Sequence, residues 1–178
     1  MGGQLGNGTA NEEYAHLPIP TQVAAPQSDV LSIAAGSSHT CAGTSIGALC
    51  WGSNLTGALG NGTVEGSFSP QPVVGLESGI VRIAAGMRHT CAVTTEGEAK
   101  CWGNNSSGEL GTGVPGLRTT AQNVLGLHAG VAAISLGESH SCAITSASYL
   151  VCWGRNYFGQ LGNGSTKDSL VPVPVLGP

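Results

Sequence analysis

The chain has 178 residues, of which 9% are charged and 29 are glycine, and its formal net charge is −4. So little charge combined with so much glycine favours short strands and tight turns over helices. The six basic residues form no cluster, which argues against a nucleic-acid partner. No run approaches the roughly 20 apolar residues of a membrane span. The first residues also lack the basic start and apolar stretch of a signal peptide.

A unit of about 50 residues recurs along the chain. The three tryptophans, Trp51, Trp102 and Trp153, are each separated by 51 positions, and each stands in a Cys-Trp-Gly sequence. Each of these is followed by x-Asn-x-x-Gly-x-Leu-Gly-x-Gly. A further copy of the last piece, at 4–9, opens the chain without a hairpin before it.

Four short strands are predicted in each repeat. The second copy has strand patterns at 80–85, 90–94 and 99–103, and residues 71–75 typify the fourth strand. That fourth strand carries prolines two positions apart in three copies, which are Pro18 and Pro20, Pro70 and Pro72, and Pro172 and Pro174. Prolines at this spacing remove two N–H groups from the same side of a strand, so the strand must lie at a sheet edge.

A four-stranded unit of this length, repeated in tandem, is the signature of a β-propeller blade. The predicted fold is therefore all-β, with antiparallel four-stranded blades. Residues 1–28 are predicted to be the outer strand of a preceding repeat, followed by blades at 29–79, 80–130 and 131–178. About three and a half repeats make a partial ring, unless more sequence or other copies complete it.

Three spaced motifs recur in register. They are Ala-Ala-Gly-x-x-His-Thr-Cys-Ala, then Cys-Trp-Gly-x-Asn-x-x-Gly-x-Leu-Gly-x-Gly, and a trailing Pro-x-Pro-Val. Together they resemble the repeat of the regulator of chromosome condensation family, over essentially the whole chain. The resemblance implies a β-propeller, typically of seven blades, whose loop face meets protein partners.

The six cysteines pair by position in the predicted hairpins. If Cys91 faces Cys101, residues 95–97 form a three-residue loop that ends in glycine, a common hairpin solution. The same counting pairs Cys41 with Cys50, and Cys142 with Cys152. Directly opposed residues are close enough for disulfides, each worth roughly 2.5–3 kcal/mol. Such bridges indicate an extracellular or cell-surface, oxidising compartment. The alternative is six reduced, buried thiols.

Cysteine together with histidine also permits a metal-binding interpretation. His39, Cys41 and Cys50, with their counterparts in the other repeats, offer three candidate ligands each. Zinc sites usually use Cys-x2-Cys turns, and thiolates in disulfides cannot bind a metal, so we predict no metal and no cofactor. We expect the three repeat histidines to be structural, each with a ring nitrogen bonded to a turn carbonyl.

Catalytic signals in the sequence are few. There is no Gly-x-Ser-x-Gly elbow, no P-loop, no His-Glu-x-x-His and no metal-binding acidic cluster, so we do not expect an enzyme. Six asparagines stand in Asn-x-Ser/Thr sequences, and we interpret them first as turn formers. They are Asn7, Asn54, Asn61, Asn104, Asn105 and Asn163.

The candidates for partner binding are positions where the repeats differ while their flanks agree. Between the constant glycine and histidine lie Ser37 and Ser38, Met87 and Arg88, and Glu138 and Ser139. These pairs occupy a turn on one face of the predicted ring, which propellers commonly use for binding. The alternative is that they are tolerant loop positions. Tyr157 and Phe158 are further candidate interface anchors because aromatic side chains dominate binding energy at protein interfaces.

Two function classes follow from this fold. The first is a secreted or surface-displayed, non-catalytic module that binds a protein through its loop face. The second is a structural protein whose open blade edges join copies of the chain into a homo-oligomer. The last blade has its own outer strand at 170–176, so a leading strand at 19–24 has no place to pair there. We therefore expect a segment of a longer propeller, or one part of a ring or fibre.

Overall fold

The computed structural model describes residues 2–9, 20–24, 29–77 and 79–177, and its described elements are all strands. The first blade contains β1 (Val30–Ala35), β2 (His39–Thr44), β3 (Gly47–Gly52) and β4 (Ser67–Pro72). The second contains β5 (Ile80–Ala85), β6 (His89–Thr94), β7 (Ala99–Gly103) and β8 (Arg118–Asn123). The third contains β9 (Val131–Leu136), β10 (His140–Thr145), β11 (Leu150–Gly154) and β12 (Ser169–Pro174). Within these residues no helix has the length and apolar character needed to cross a bilayer.

Strand order within each sheet follows chain order, and neighbouring strands are antiparallel. The proline-bearing strands β4 and β12 lie at sheet edges, as their missing N–H groups predict. At the opposite edges, β1 packs against β5 and β5 against β9, so these strands form the inner side of the arc. The sequence-predicted fold class is confirmed: three four-stranded blades stand side by side.

The three predicted cysteine pairs are disulfides in the structure. Cys41 bonds Cys50, Cys91 bonds Cys101, and Cys142 bonds Cys152, each pair with its Cα atoms 4.1 Å apart. In each hairpin the two cysteines are directly opposed across the ladder. The bridges therefore join the two central strands of a blade.

The hydrophobic core lies between blades. Leu59 and Val73 of the first blade pack in one buried cluster with Ile80 and Trp102 of the second. A second cluster joins the second and third blades in the same way, and it includes Trp153. Each sheet contributes half of a core that its neighbour completes, so the blades stabilise one another, as in other repeat proteins.

The leading strand predicted at 19–24 begins outside the described residues. The described part, 20–24, contains no strand, although the Ala24 amide donates to the Gly6 carbonyl at 2.7 Å. The same bond joins Val74 to Gly60 in the first blade, at 2.9 Å. Residues 2–9 and 20–24, the described parts of the leading piece, therefore contact each other like the end of a repeat and contain no ladder strand.

Mass spectrometry of a non-reduced digest should recover three bridged peptides, with no pairing between blades. Reduction should lower the free energy of unfolding by roughly 2.5–3 kcal/mol for each bridge, because each closes a loop of about 10 residues in the unfolded chain. Six thiols that react with iodoacetamide in the native protein would contradict the pairing.

Candidate functional site

The turns between the first and second strands of the three blades lie on one face of the arc. Each turn begins with a glycine, which is Gly36, Gly86 or Gly137. Any other residue at these positions would destabilise the turn through a steric clash. A Cβ atom at any of these positions would overlap the imidazole ring of the histidine that ends the same turn. The turn backbone is therefore fixed by the repeat, whereas the two residues between glycine and histidine are not.

Two of the three repeat histidines, His39 and His89, bond to the next blade, which corrects our expectation of a turn carbonyl for these two. His39 Nε2 lies 2.9 Å from Thr90 Oγ1, and His89 Nε2 lies 3.0 Å from Ser141 Oγ. Both hydroxyls donate their own hydrogen to a backbone carbonyl. Each hydroxyl must therefore accept from the histidine, which fixes these two rings as the neutral Nε2–H tautomer.

Burial keeps these two rings uncharged. Desolvation lowers the pKa of His39 to about 4. It also lowers the pKa of His89 to about 3, with smaller contributions from the nearby His39 and His140. The buried Nδ1 atom of His89 has no hydrogen-bond partner within the described part of the chain. Both rings are therefore neutral, structural groups of the blade junctions.

At each junction one backbone carbonyl accepts two hydrogen bonds from the following blade, close to the histidine. The Ala58 oxygen accepts the indole N–H of Trp102 at 2.8 Å and the hydroxyl of Thr90 at 2.9 Å. The Glu109 oxygen accepts from Trp153 at 2.8 Å and from Ser141 at 2.7 Å. The loop after each Trp-Gly thus reaches across to the following blade.

The asparagine of this loop forms hydrogen bonds to the loop backbone through its side chain, as expected for a turn-forming residue. Asn54 is buried, its side-chain oxygen accepts from the Leu59 amide, and its Nδ2 donates to the Thr63 and Glu65 carbonyls. Asn105 and Asn156 accept from the equivalent leucine amides. The loops are thereby held rigidly beside the glycine–histidine turns.

Two neighbouring grooves run between these turns and loops. The first has a volume of about 400 Å³, and its lining includes Ser37, Ser38, Leu55, Thr56, Met87 and Arg88. The second has a volume of about 210 Å³, and its lining includes Met87, Arg88, Asn104, Glu138, Ser139 and Arg155. The turn positions singled out by sequence divergence therefore meet in two adjoining grooves, with Met87 and Arg88 shared between them.

Tyr157 and Phe158 line neither groove. Their rings meet edge to face with centroids 4.9 Å apart, and they are 69% and 81% exposed. They occupy the loop positions that Leu55 and Thr56 occupy in the first blade. Because Thr56 donates to the Arg88 carbonyl of the second blade, the aromatic pair lies where a further blade would pack.

The sequence analysis missed the loop residues of the grooves. Leu55 is 78% exposed on the first groove, and Arg155 is exposed beside the second. A signal for Leu55 was present, because the two positions before the loop glycine vary between repeats as strongly as the turn pairs do. Arg155 likewise stands at a variable position, directly after Trp-Gly, where the other repeats have Ser53 and Asn104. A larger cavity of about 740 Å³ lies at the other end of the third blade, lined by Tyr149, Leu150 and Leu176 among others.

Comparison with known proteins assigns the repeats. A family model described as the regulator of chromosome condensation (RCC1) repeat matches residues 1–42, 47–93 and 150–178. A second model of the same description matches 80–109 and 131–160. The chain belongs to the RCC1 repeat family. Among its relatives is the ultraviolet-B receptor UVR8 of Arabidopsis thaliana, 39% identical over 97% of this chain and 40% of the receptor. The chain thus spans less than half the length of this relative.

Three solved structures share the fold of this chain over most of its length. Human WBSCR16 superposes with a TM-score of 0.75 at 18% identity, covering 86% of this chain and 42% of that one. Yeast Prp20p, from Saccharomyces cerevisiae, superposes with a TM-score of 0.74 at 22% identity, covering 84% of this chain and 39% of that one. Yeast RCC1 in its complex with Kap60 gives 0.69 at 26% identity, covering 84% and 36%. At these identities the first two likenesses concern the fold alone.

Acid should destabilise the protein through its junction histidines. His39 and His89 bind a proton at the usual pKa of 6.5 when unfolded, but only near 4 and 3 when folded. Their contribution is therefore complete above pH 6.5 and is lost as the pH falls below it, at about 1.4 kcal/mol per pH unit for each histidine. Urea unfolding at pH 7, 6 and 5 measures the slope.

Two variants control this measurement. His89→Gln keeps a side-chain N–H for the Ser141 hydroxyl but removes one titrating ring, so the slope should fall by roughly half. His128→Gln changes an exposed histidine and should leave the slope unchanged. A stability that is equal at pH 7 and pH 5 would show that the junction histidines do not control acid unfolding.

Proposed function

We propose that the chain is a non-catalytic protein-binding module of an oxidising, extracellular or cell-surface compartment. Its partner binds across the two grooves formed by the glycine–histidine turns and the loops after each Trp-Gly. One observation supports this proposal most strongly. The side chains that vary between repeats line two adjoining grooves, whereas the backbone of the turns that present them is the same in every repeat.

The chemistry of the grooves supports a protein partner. The exposed side chains of Met87 and Leu55 offer apolar surface, and Arg88 offers a positive charge. Serine and threonine residues also line the first groove. Met and Arg are enriched where proteins meet, and a mixed apolar and polar lining is typical of interfaces that form and dissociate. No ion pair to Arg88 or Arg155 is formed within the described residues. Both guanidinium groups therefore remain available for a partner.

The relatives also support protein binding. Yeast Prp20p, whose structure is solved, has binding properties to Gsp1p and histones. In another solved structure, yeast RCC1 is bound to Kap60. These partners are properties of those proteins, and they favour recognition of a protein over a small molecule for the present chain.

The compartment is inferred from the disulfides. Every cysteine of the chain is bridged, and five of the six are buried, with Cys142 half-buried. Disulfides persist in oxidising environments and are rare in the reducing cytosol.

Site-directed photo-crosslinking tests the proposal. A benzoylphenylalanine at Arg88 should capture the partner in the native setting, and the same probe at Glu65, an exposed residue outside both grooves, should not. With the captured partner, alanine at Met87 or Arg88 should weaken binding by roughly 1–3 kcal/mol, against about 0.5 kcal/mol or less at Glu65. Equal effects at the three positions would reject the groove face as the interface.

Asp168 is a poor control for this experiment because its carboxylate accepts from the Asn156 amide and so supports a loop of the face. Lys167 is exposed and serves as a second neutral position.

A further inference from the structure

The asparagines in Asn-x-Ser/Thr sequences differ in what their side-chain nitrogens do. An asparagine Nδ2 carries two hydrogens and can donate two hydrogen bonds. Attachment of an oligosaccharide at such a sequence replaces one of these hydrogens by a bulky group. An asparagine that uses both hydrogens inside the fold could be modified only by losing a bond. An asparagine whose Nδ2 donates to nothing and lies at the surface can be modified without loss.

Three of the six asparagines use both hydrogens. Asn54 Nδ2 donates to two loop carbonyls, each at 3.0 Å. Asn105 Nδ2 donates to a loop carbonyl at 2.7 Å and to a threonine hydroxyl at 3.2 Å. Asn104 Nδ2 donates to a serine hydroxyl at 3.0 Å and to the Glu109 carboxylate at 2.8 Å. Asn54 and Asn105 are also at most 1% exposed, so the folded loop has no room for an added group there.

Asn61 has the opposite arrangement. Its Oδ1 accepts from the Thr63 amide at 3.1 Å, from the Thr63 hydroxyl at 2.9 Å and from Asn54 Nδ2 at 3.1 Å. Its Nδ2 donates to no atom of the described residues. Asn61 is half-buried and residues 62–66 are exposed, and a Cβ atom on Gly62 would meet nothing within 4 Å. The loop therefore fixes this side chain through its oxygen and leaves the nitrogen free beside open space.

We propose that Asn61 is an N-glycosylation site, an inference that rests on the extracellular or cell-surface compartment proposed above. The co-reactant is a lipid-linked oligosaccharide pyrophosphate of a eukaryotic secretory route. Nδ2 attacks C1 of the first sugar, and an N–C bond forms. The bond from C1 to the pyrophosphate oxygen breaks, the lipid pyrophosphate leaves, and one Nδ2 proton passes to a base of the transferring enzyme. The product keeps Oδ1 and one N–H, so the three bonds that Asn61 accepts are preserved.

Two further asparagines occupy the loop position of Asn61 in other repeats. The Oδ1 atoms of Asn7 and Asn163 also accept hydrogen bonds from their own loops. Of the three, Asn61 lies at the junction of two described blades, where the next amide, Gly62, donates to the Thr119 carbonyl at 2.9 Å. The surroundings of Asn61 are therefore defined from both blades.

An oligosaccharide at Asn61 would leave the two grooves accessible. Asn61 lines neither groove. Its neighbour Gly62 bonds to Thr119 in β8, which is the outermost strand of the second blade. The glycine–histidine turns, by contrast, connect the two innermost strands of each blade. The oligosaccharide and a protein partner would therefore occupy different sides of the arc.

The test is the occupancy of each site in the chain secreted from cultured eukaryotic cells behind a cleavable leader. An appended tag with its own Asn-x-Thr sequence reports that the glycosylation machinery is active. Peptide-N-glycosidase F in heavy-oxygen water marks each formerly occupied asparagine, and mass spectrometry of the digest locates it. Most molecules should be marked at Asn61 and none at Asn54, Asn104 or Asn105. Asn61→Gln should lose the mass of one oligosaccharide.

The site should also be transferable to the second blade. There Thr112 occupies the position of Asn61, and its hydroxyl accepts from Asn105 Nδ2 at 3.2 Å, as Asn61 Oδ1 accepts from Asn54. Thr112→Asn/Val114→Thr creates the sequence in the same loop geometry and should add one occupied site. Val114 is 53% exposed, so threonine is accommodated there. Thr112→Asn alone is the matched control, because it lacks the hydroxyl residue and should add none.

Three results would overturn the proposal. An unmodified Asn61 in the secreted chain, with the tag occupied, would do so and would leave partner binding through the grooves untouched. Occupancy of Asn54 or Asn105 equal to that of Asn61, in the secreted and disulfide-bonded chain, would show that the Nδ2 bonds do not govern modification. Retention of the chain in the cell with free thiols would contradict the oxidising compartment, and the glycosylation site with it.

Discussion

One backbone carbonyl at each blade junction holds the structure together. The Ala58 oxygen accepts from Trp102 and Thr90 at once, and the Glu109 oxygen does the same one blade later. A polar atom buried without a partner costs roughly 1–3 kcal/mol, so each junction must match its donors and acceptors before apolar packing can stabilise it. The glycine two residues after the carbonyl is equally necessary, because at Gly60 a side chain would collide with the indole.

This constraint explains why the repeats are so uniform in some positions and so free in others. The tryptophan, the hydroxyl and the histidine form hydrogen bonds at the junction, and the glycine leaves room for the indole ring. The cysteines form the disulfide of the hairpin. The two residues between glycine and histidine contribute no side chain to these hydrogen bonds, so their side chains can vary without disturbing the junction. A scaffold of this kind separates stability from recognition, and a protein partner would bind on the variable side chains.

The same constraint acts where the leading segment meets the first blade. A junction needs a loop carbonyl from one segment and a receiving tryptophan from the next blade. At the first blade the Gln4 carbonyl accepts from Trp51 and Thr40, while Leu5 of the same segment is 44% exposed. In the third blade the exposed Tyr157 and Phe158 stand at the loop positions of Leu55 and Thr56, of which Thr56 bonds to the second blade.

The sequence by itself determined the blades, their edge strands and the cysteine pairs, because these depend on short-range register: prolines two apart, and a Cys91 that faces Cys101 when the loop is counted. Tertiary structure alone decided which groups meet between blades. The histidines bond to hydroxyls about 50 positions away, at Thr90 and Ser141, and not to their own turns. The grooves also join turns and loops from different blades, as Leu55 and Arg88 show. Such contacts depend on how neighbouring sheets pack against each other. The periodicity of residues along one strand does not specify which residues of the next sheet they will contact.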